Sequence, residues 1–366
     1  MRTRCCVLAV APFVAAAVLP AQTLDDIRDD LRAAATRDRL VRGVIALVDF
    51  SQTRALAGAR YRIDNGAGIP DTRITTFQLP WSWQSGGSEP AYDTFGESAG
   101  GELPARDLRS GRRPRRSSEP VLSFYVEGNF GYLGADIDYP DLYSGQAPAI
   151  ATAADAEWRA FSATLGAGPR IRLGSRTSAT LLARTGAAYL ENDAHYSGPG
   201  APVSAALLDG ILFNWNATLL SVGGAVQLDR IDPLGHAHGG RLDAGLRIHS
   251  QLRYDGVWSD VVRSTDAAQE GDLTSQALTA RVDLIGPTGW TQTGRDIEYR
   301  VWTTASHFPG ETGDALGVET LYQVGAGLET AVDGWGVPLL GGLSVSGAFA
   351  FGDDIRGFSV GLGVSF

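Results

Sequence analysis

Over 355–366 the chain alternates with a period of two. Phe358, Val360, Leu362, Val364 and Phe366 are large and apolar, whereas Gly357, Ser359, Gly361, Gly363 and Ser365 are small or polar. Successive side chains on a strand point to opposite faces, so this pattern predicts a strand with one greasy face. The same alternation recurs upstream. Leu242, Ala244, Leu246, Ile248 and Leu252 oppose Arg241, Asp243, Arg247, His249, Gln251 and Arg253. Tyr322, Val324, Ala326 and Leu328 oppose Gln323, Gly325, Gly327 and Glu329. The pattern predicts strands near 121–133, 157–173, 177–190, 214–229, 240–254, 275–285, 295–305, 316–331, 338–351 and 355–366, with two further strands near 42–50 and 73–83.

Alternation alone fits a soluble sandwich as well as a membrane barrel. Two patterns favour the barrel. Aromatics fall near strand ends, at Tyr132, Tyr189, Trp215, Tyr254, Trp335, Phe351 and Phe366, as interfacial girdles require. Apart from the last hairpin, the longer connections (134–156, 191–213, 255–274, 306–315) fall on one side and the shorter ones on the other. Outer-membrane barrels sort their loops this way, with long loops outside and short turns in the periplasm. The fold expected is all-β: an up-and-down antiparallel transmembrane β-barrel of twelve strands, or ten if the first two fail, over 42–366. Its greasy face meets lipid and its polar face lines the lumen. The expected lumen residues are Glu127, Arg184, Arg247, His249, Arg253, Asp283, Arg300 and Glu329.

The amino-terminal region differs. Arg2 and Arg4 followed by the apolar run Val7–Val18 and Leu19-Pro20-Ala21 read as a secretory signal over 1–21. Thr23 then caps a helix over roughly 22–41, with Asp25 and Asp26 at its positive end and Leu24, Ile27 and Leu31 on one face. This helix is too polar to pack into lipid; it either enters the lumen or hangs in the periplasm. Residues 85–119 are rich in Gly, Ser, Pro and charge and read as a flexible loop.

Composition narrows the function. The 31 basic and 41 acidic residues give a net charge of −10. Without Arg2 and Arg4 the balance is 29 against 41, or −12, which argues against a nucleic-acid partner. Both cysteines, Cys5 and Cys6, lie in the signal, so the exported chain has no disulfide, zinc–thiolate site or cysteine nucleophile.

Candidate chemistry is thin. His249-Ser250 suggests an acyl-transfer pair, but neighbours on a strand point to opposite faces. His236-Ala-His238 offers two imidazoles for a metal and lacks a third committed donor. Asp353-Asp354 beside Gly352 reads as a hairpin tip. Arg112, Arg113, Arg115 and Arg116 read as a solvated basic loop. No cofactor, metal or catalytic residue is expected.

Taken together, the signal, the helix, Thr-Thr-Phe-Gln-Leu-Pro (75–80), Phe-Tyr-Val-Glu-Gly-Asn-Phe-Gly-Tyr (124–132) and the ending Gly-Asp-Asp-Ile-Arg-Gly-Phe-Ser-Val-Gly-Leu-Gly-Val-Ser-Phe (352–366) resemble the solitary autotransporter β-barrel family of the bacterial outer membrane. The resemblance implies twelve strands, a helix in the pore and no secreted passenger. It also implies the closing strand Phe358, Val360, Leu362, Val364 and Phe366 as the segment read by the barrel assembly machinery. The expected surroundings are Gram-negative outer-membrane lipid and lipopolysaccharide. A narrow-pore or structural role is expected, with a porin-like wall and no wide channel; the alternatives are an outer-membrane lipid-modifying enzyme and a soluble periplasmic β-sandwich. The basic stretch at 85–119 departs from the family, because it falls on the side of the short turns.

Overall fold

Each strand pairs antiparallel with its sequence neighbour, and the last returns to the first. A computed structural model describes residues 24–38, 42, 45–46, 48–49, 59–63, 72–84, 122–139, 142, 151–234, 246–292, 295–316, 318–331, 342–352 and 355–365. The strands are β1 (Ala59–Ile63), β2 (Thr72–Gln84), β3 (Leu122–Tyr139), β4 (Ala153–Arg172), β5 (Thr177–Ser197), β6 (Trp215–Pro233), β7 (Arg247–Ser264), β8 (Asp272–Gln292), β9 (Arg295–His307), β10 (Thr320–Ala331), β11 (Gly342–Gly352) and β12 (Ile355–Ser365). They form one closed twelve-stranded barrel. Closure is by β12 on β1, in a register that sets Ser359 opposite Ala59 and Ile355 opposite Ile63. Closing the ring by backbone pairing is what a sheet in lipid requires; among the described residues the seam strand β1 pairs with Ile355–Ser359 of β12 and with Thr72–Thr75 of β2. A two-sheet sandwich is ruled out by this topology.

Short helices cap one end of the barrel: α1 (Leu24–Asp38), α2 (Ala201–Leu208) and α3 (Glu311–Leu316), with a 3-10 turn at Ala267–Gln269. We call this the loop end and the opposite one, where β12 finishes, the C-terminal end. No described helix is long and apolar enough to cross a membrane.

Strand length is uneven. Strands β3 to β8 run 18–21 residues, while β9 to β12 run 11–13 and β1 only five. The tall strands overrun their expected ends at the loop end: β3 continues past 133 to Tyr139 and β7 past 254 to Ser264.

The cause is an inversion of polarity along the wall. In the lower and middle part, apolar side chains point out and charged ones point in. On β5 the outward residues Leu181, Ala183, Ala187 and Tyr189 are exposed. Beyond Tyr189 the outward residues become Glu191, Asp193 and His195, while inward Leu190 is buried. On β3, Leu133, Ala135, Ile137 and Tyr139 are buried inside, with Asp136 and Asp138 exposed outside. The boundary is an aromatic rung, Tyr132 opposite Phe161 opposite Tyr189 across β3, β4 and β5, with Tyr132 and Phe161 ring centroids 5.1 Å apart. Above it, the loop end is built like a water-soluble barrel with an apolar core.

Described residues between 42 and 49 fill that core. The described positions Arg42, Ile45, Ala46, Val48 and Asp49 are helical, not the strand expected at 42–50. Ile45, Ala46 and Val48 are buried against Leu133, Leu190, Trp215, Leu219, Val261, Leu273, Phe308 and Leu321. Helix α1 lies above, neither inside the charged part of the lumen nor free. Leu31 and Ile27 pack on Leu207, Leu208, Ile211 and Phe213. Arg32 holds Asp266 through Nε and Nη2 at 2.8 Å each, and Arg28 donates to the backbone carbonyls of Ala206 and Asp209.

Candidate functional site: the barrel interior

Below residue 49 the lumen is crossed by charged side chains. The period of two aims alternate residues of a strand inward, so inward charges meet one another along the wall and across the lumen. Arg253 on β7 donates to both oxygens of Glu127 on β3, at 2.7 and 3.0 Å, and to both oxygens of Asp255, at 2.8 Å each. Arg184 on β5 donates to Asp255 at 2.7 Å and lies 3.6 Å from Glu127. Gln227 accepts from Arg253 at 3.0 Å and donates to Asp229, joining this group to the next.

The second group surrounds Asp229. Gln251 donates to it at 3.0 Å, Arg170 stands 3.5 Å away, and His249 Nε2 is 3.3 Å away. His249 Nδ1 lies 3.7 Å from Asp283, which also accepts from Arg281 at 2.7 Å. Nearest the C-terminal end, Arg247 holds Glu298 bidentately at 2.8 and 2.9 Å, and Arg300 stands 3.5 Å from Glu329.

Within this described network Arg170, Arg184, Arg247, Arg253, Arg281 and Arg300 face Glu127, Asp229, Asp255, Asp283, Glu298 and Glu329, six arginines against six acids. Taking charges out of water is costly unless each is paired and hydrogen-bonded, and here each has a partner from its own or a facing strand. The arrangement fills the interior with cross-links that span non-adjacent strands. Two cations also stack on rings: Arg281 lies 5.1 Å from the Trp302 centroid and Arg170 6.0 Å from that of Tyr125.

The interior holds no acyl-transfer pair at His249. Its described partners are the carboxylates Asp229 and Asp283, and Ser250 takes the opposite side of β7. No metal-binding group of three or more His, Cys, Asp or Glu occurs among the described residues. His236, His238, Asp353, Asp354 and the arginines at 112–116 lie outside the described residues, as do the signal and all of 85–121.

Outside, the wall is the reverse. Leu252 is 45% exposed while its neighbour Arg253 is 2% exposed. Phe124, Phe130, Phe161, Val226, Val282, Val301, Val324 and Phe349 are exposed, and on the closing strand Phe358 and Val360 are 57% and 66% exposed. The backbones of Leu362 and Val364 pair with Val345 and Leu343, and Phe366 lies outside the described residues. Tyr189, Tyr254 and Phe351 of the expected girdle face out. Trp215 does not: it is buried, edge-to-face with Trp158 at 5.3 Å, because it shares inward parity with Ala217 and Leu219. Trp335 of that set lies outside the described residues. Leu246 also departs from expectation; it precedes β7, half-buried, near Gly286.

A closed barrel with this inverted burial is a transmembrane β-barrel of outer-membrane type. Comparison with solved structures finds other such barrels. The translocator domain of the autotransporter NalP from Neisseria meningitidis matches 94% of this chain and 99% of its own length, at 13% identity and a TM-score of 0.40. The β domain of the Bordetella autotransporter Brka matches 84% and 96%, at 13% identity and 0.39. A Pseudomonas aeruginosa FadL homologue matches 82% and 69%, at 10% identity and 0.39. The similarity is one of fold, and the fold statement stands on the chain's own topology and burial. No protein-family model matches the chain, and no curated sequence matches it significantly.

Proposed function

We propose that the protein is an integral outer-membrane barrel of autotransporter type that works without a secreted passenger and is closed at rest by its own amino-terminal arm. The observation that carries this reading is the occupied lumen. Segment 42–49 supplies Ile45, Ala46 and Val48 to the upper core, and a ladder of six arginines and six acids crosses the channel beneath. Glu127, Arg184, Arg247, His249, Arg253, Asp283, Arg300 and Glu329 are the lining of a narrow pore, not of a diffusion channel. The outer belt sits in phospholipid and lipopolysaccharide, with the long loops and α1 at the cell surface. The closing strand is the segment handed to the barrel assembly machinery.

The test is single-channel recording in planar bilayers. The full chain is expected to conduct little, and a chain lacking 24–49 to conduct more while still assembling. A wide, steady conductance in the full chain would remove the closed-barrel reading.

A further inference from the structure

Asp49 sits where the two interiors meet. Its carboxylate is buried and accepts from Ser259 Oγ at 2.8 Å and Ser275 Oγ at 2.5 Å. Unlike the six acids of the ladder, it has no ion-pair partner among the described residues. It lines a small cavity together with Asp255, Val257, Ser275, Phe308 and Thr312. On one side are Ile45, Val48 and the apolar core; on the other is Asp255, a second carboxylate.

The charged groups around it are committed. Arg184 on β5 is engaged by Asp255 and Glu127, and Arg253 on β7 by the same two acids. On the loop side, Arg42 of the same segment pairs with Glu311 at the start of α3, at 3.3 Å. The hydroxyls of Ser259 and Ser275 can donate to a carboxylate or accept from a carboxyl proton, so they fit both states. For an anion at Asp49, burial at the edge of an apolar core outweighs the two Ser hydrogen bonds and the attraction of Arg184.

We propose that Asp49 is the release residue of the plug: uncharged, it holds 42–49 in the lumen, and its ionisation as pH rises lets the segment go. This rests on the reading of a barrel closed by its own arm. The proton leaves to water, and no covalent bond changes.

The exported chain lacks cysteine, so a single introduced thiol reports cleanly. Val48→Cys places it on the buried face of the segment, and Ser197→Cys places a reference at the exposed end of β5. Labelling of each by a charged thiol reagent is measured between about pH 5 and about pH 8, and the ratio of the two rates removes the thiol's own pH dependence. The ratio is expected to rise roughly tenfold or more over that range, and to stay low and flat when Asp49→Asn is added. Asparagine keeps the shape and the Ser contacts but cannot ionise. A low, flat ratio with either residue at 49, or the same rise with both, overturns the role of Asp49 and leaves the plug standing. Position 48 labelling as fast as position 197 at every pH would overturn the plug itself.

Discussion

Arg253 on β7 grips Glu127 on β3 from across the lumen, Nη2 to Oε1 at 2.7 Å and Nη1 to Oε2 at 3.0 Å, although the two are 126 positions apart in the chain. Neighbouring strands are held by backbone bonds; this pair ties walls that share none. Removing one partner strands the other charge in a dry interior. Arg253→Met is therefore expected to destabilise the barrel by about 3–5 kcal/mol, because Glu127 and Asp255 then lose a guanidinium that both of them hold. Adding Glu127→Gln should recover part of the loss. Denaturant unfolding followed by heat-shift electrophoresis checks both, and equal stability of the single variant and the parent would show the bridge to be idle.

The outer belt gives the complementary prediction. Leu252 faces out at mid-strand of β7, so Leu252→Arg is expected to cost about 2–4 kcal/mol in a bilayer. Leu246 is the wrong position for this test, since it precedes the strand. Leu252→Phe should be nearly silent. A neutral result for the arginine would mean that this face does not meet lipid.

Gly325 carries a packing prediction. Its register partner Trp302 lies across it, and a Cβ there would come within 2.0 Å of the indole. Trp302 is buried and stacks on Arg281. Gly325→Ala is expected to displace the ring and destabilise by about 1–3 kcal/mol. The intrinsic tryptophan emission should shift as well; an unchanged spectrum and melting point would contradict the contact.

The arm's anchor depends on pH with a defined sign. Arg32, hydrogen-bonded to the Asp266 carboxylate, holds that carboxyl below the usual range, and burial acts against it without overcoming it. A group depressed in the folded state contributes stability that is present above its unfolded value, near about 3.9, and is lost as pH falls through the folded one. Protection of the α1 amides, taken relative to the intrinsic exchange rate at each pH, should therefore be high at neutral pH and fall only in strong acid. Arg32→Ala should make protection low throughout. A chain whose α1 exchanges alike with and without Arg32 would show that Leu31 and Ile27 alone hold the helix.

The strands were legible because polar and apolar positions alternate, and the lumen charges because they fall on the same parity as their neighbours. The signal failed where the wall changes sign. On β3, Ile137 and Tyr139 turn inward and Asp136 and Asp138 outward, so a reader following the greasy face loses the strand at the aromatic rung. Trp215 misled for the same reason, being an aromatic at a strand end that belongs to the inner core. The apolar run Val44 to Val48 is too short to distinguish strand from helix by period. Only the packed structure shows Ile45, Val48 and Asp49 on one helical face. The partners of each arginine depend on which strands face each other across the lumen, which no local pattern encodes.

The uneven strands give the barrel an oblique rim. A strand of 20 residues such as β4, inclined as barrel strands are, stands on the order of 50 Å tall against a lipid band of about 25 Å. Strands of 11 residues such as β11 and β12 barely exceed that band. One flank therefore stands clear of the membrane while the other ends at its surface. On the tall flank the rungs above the aromatic row set Asp136 opposite Glu157 opposite Asp193, and Asp138 opposite Asp155 opposite His195. That outer face of the tall flank is predominantly acidic, with Arg159 held among its carboxylates by Glu157 and Glu191.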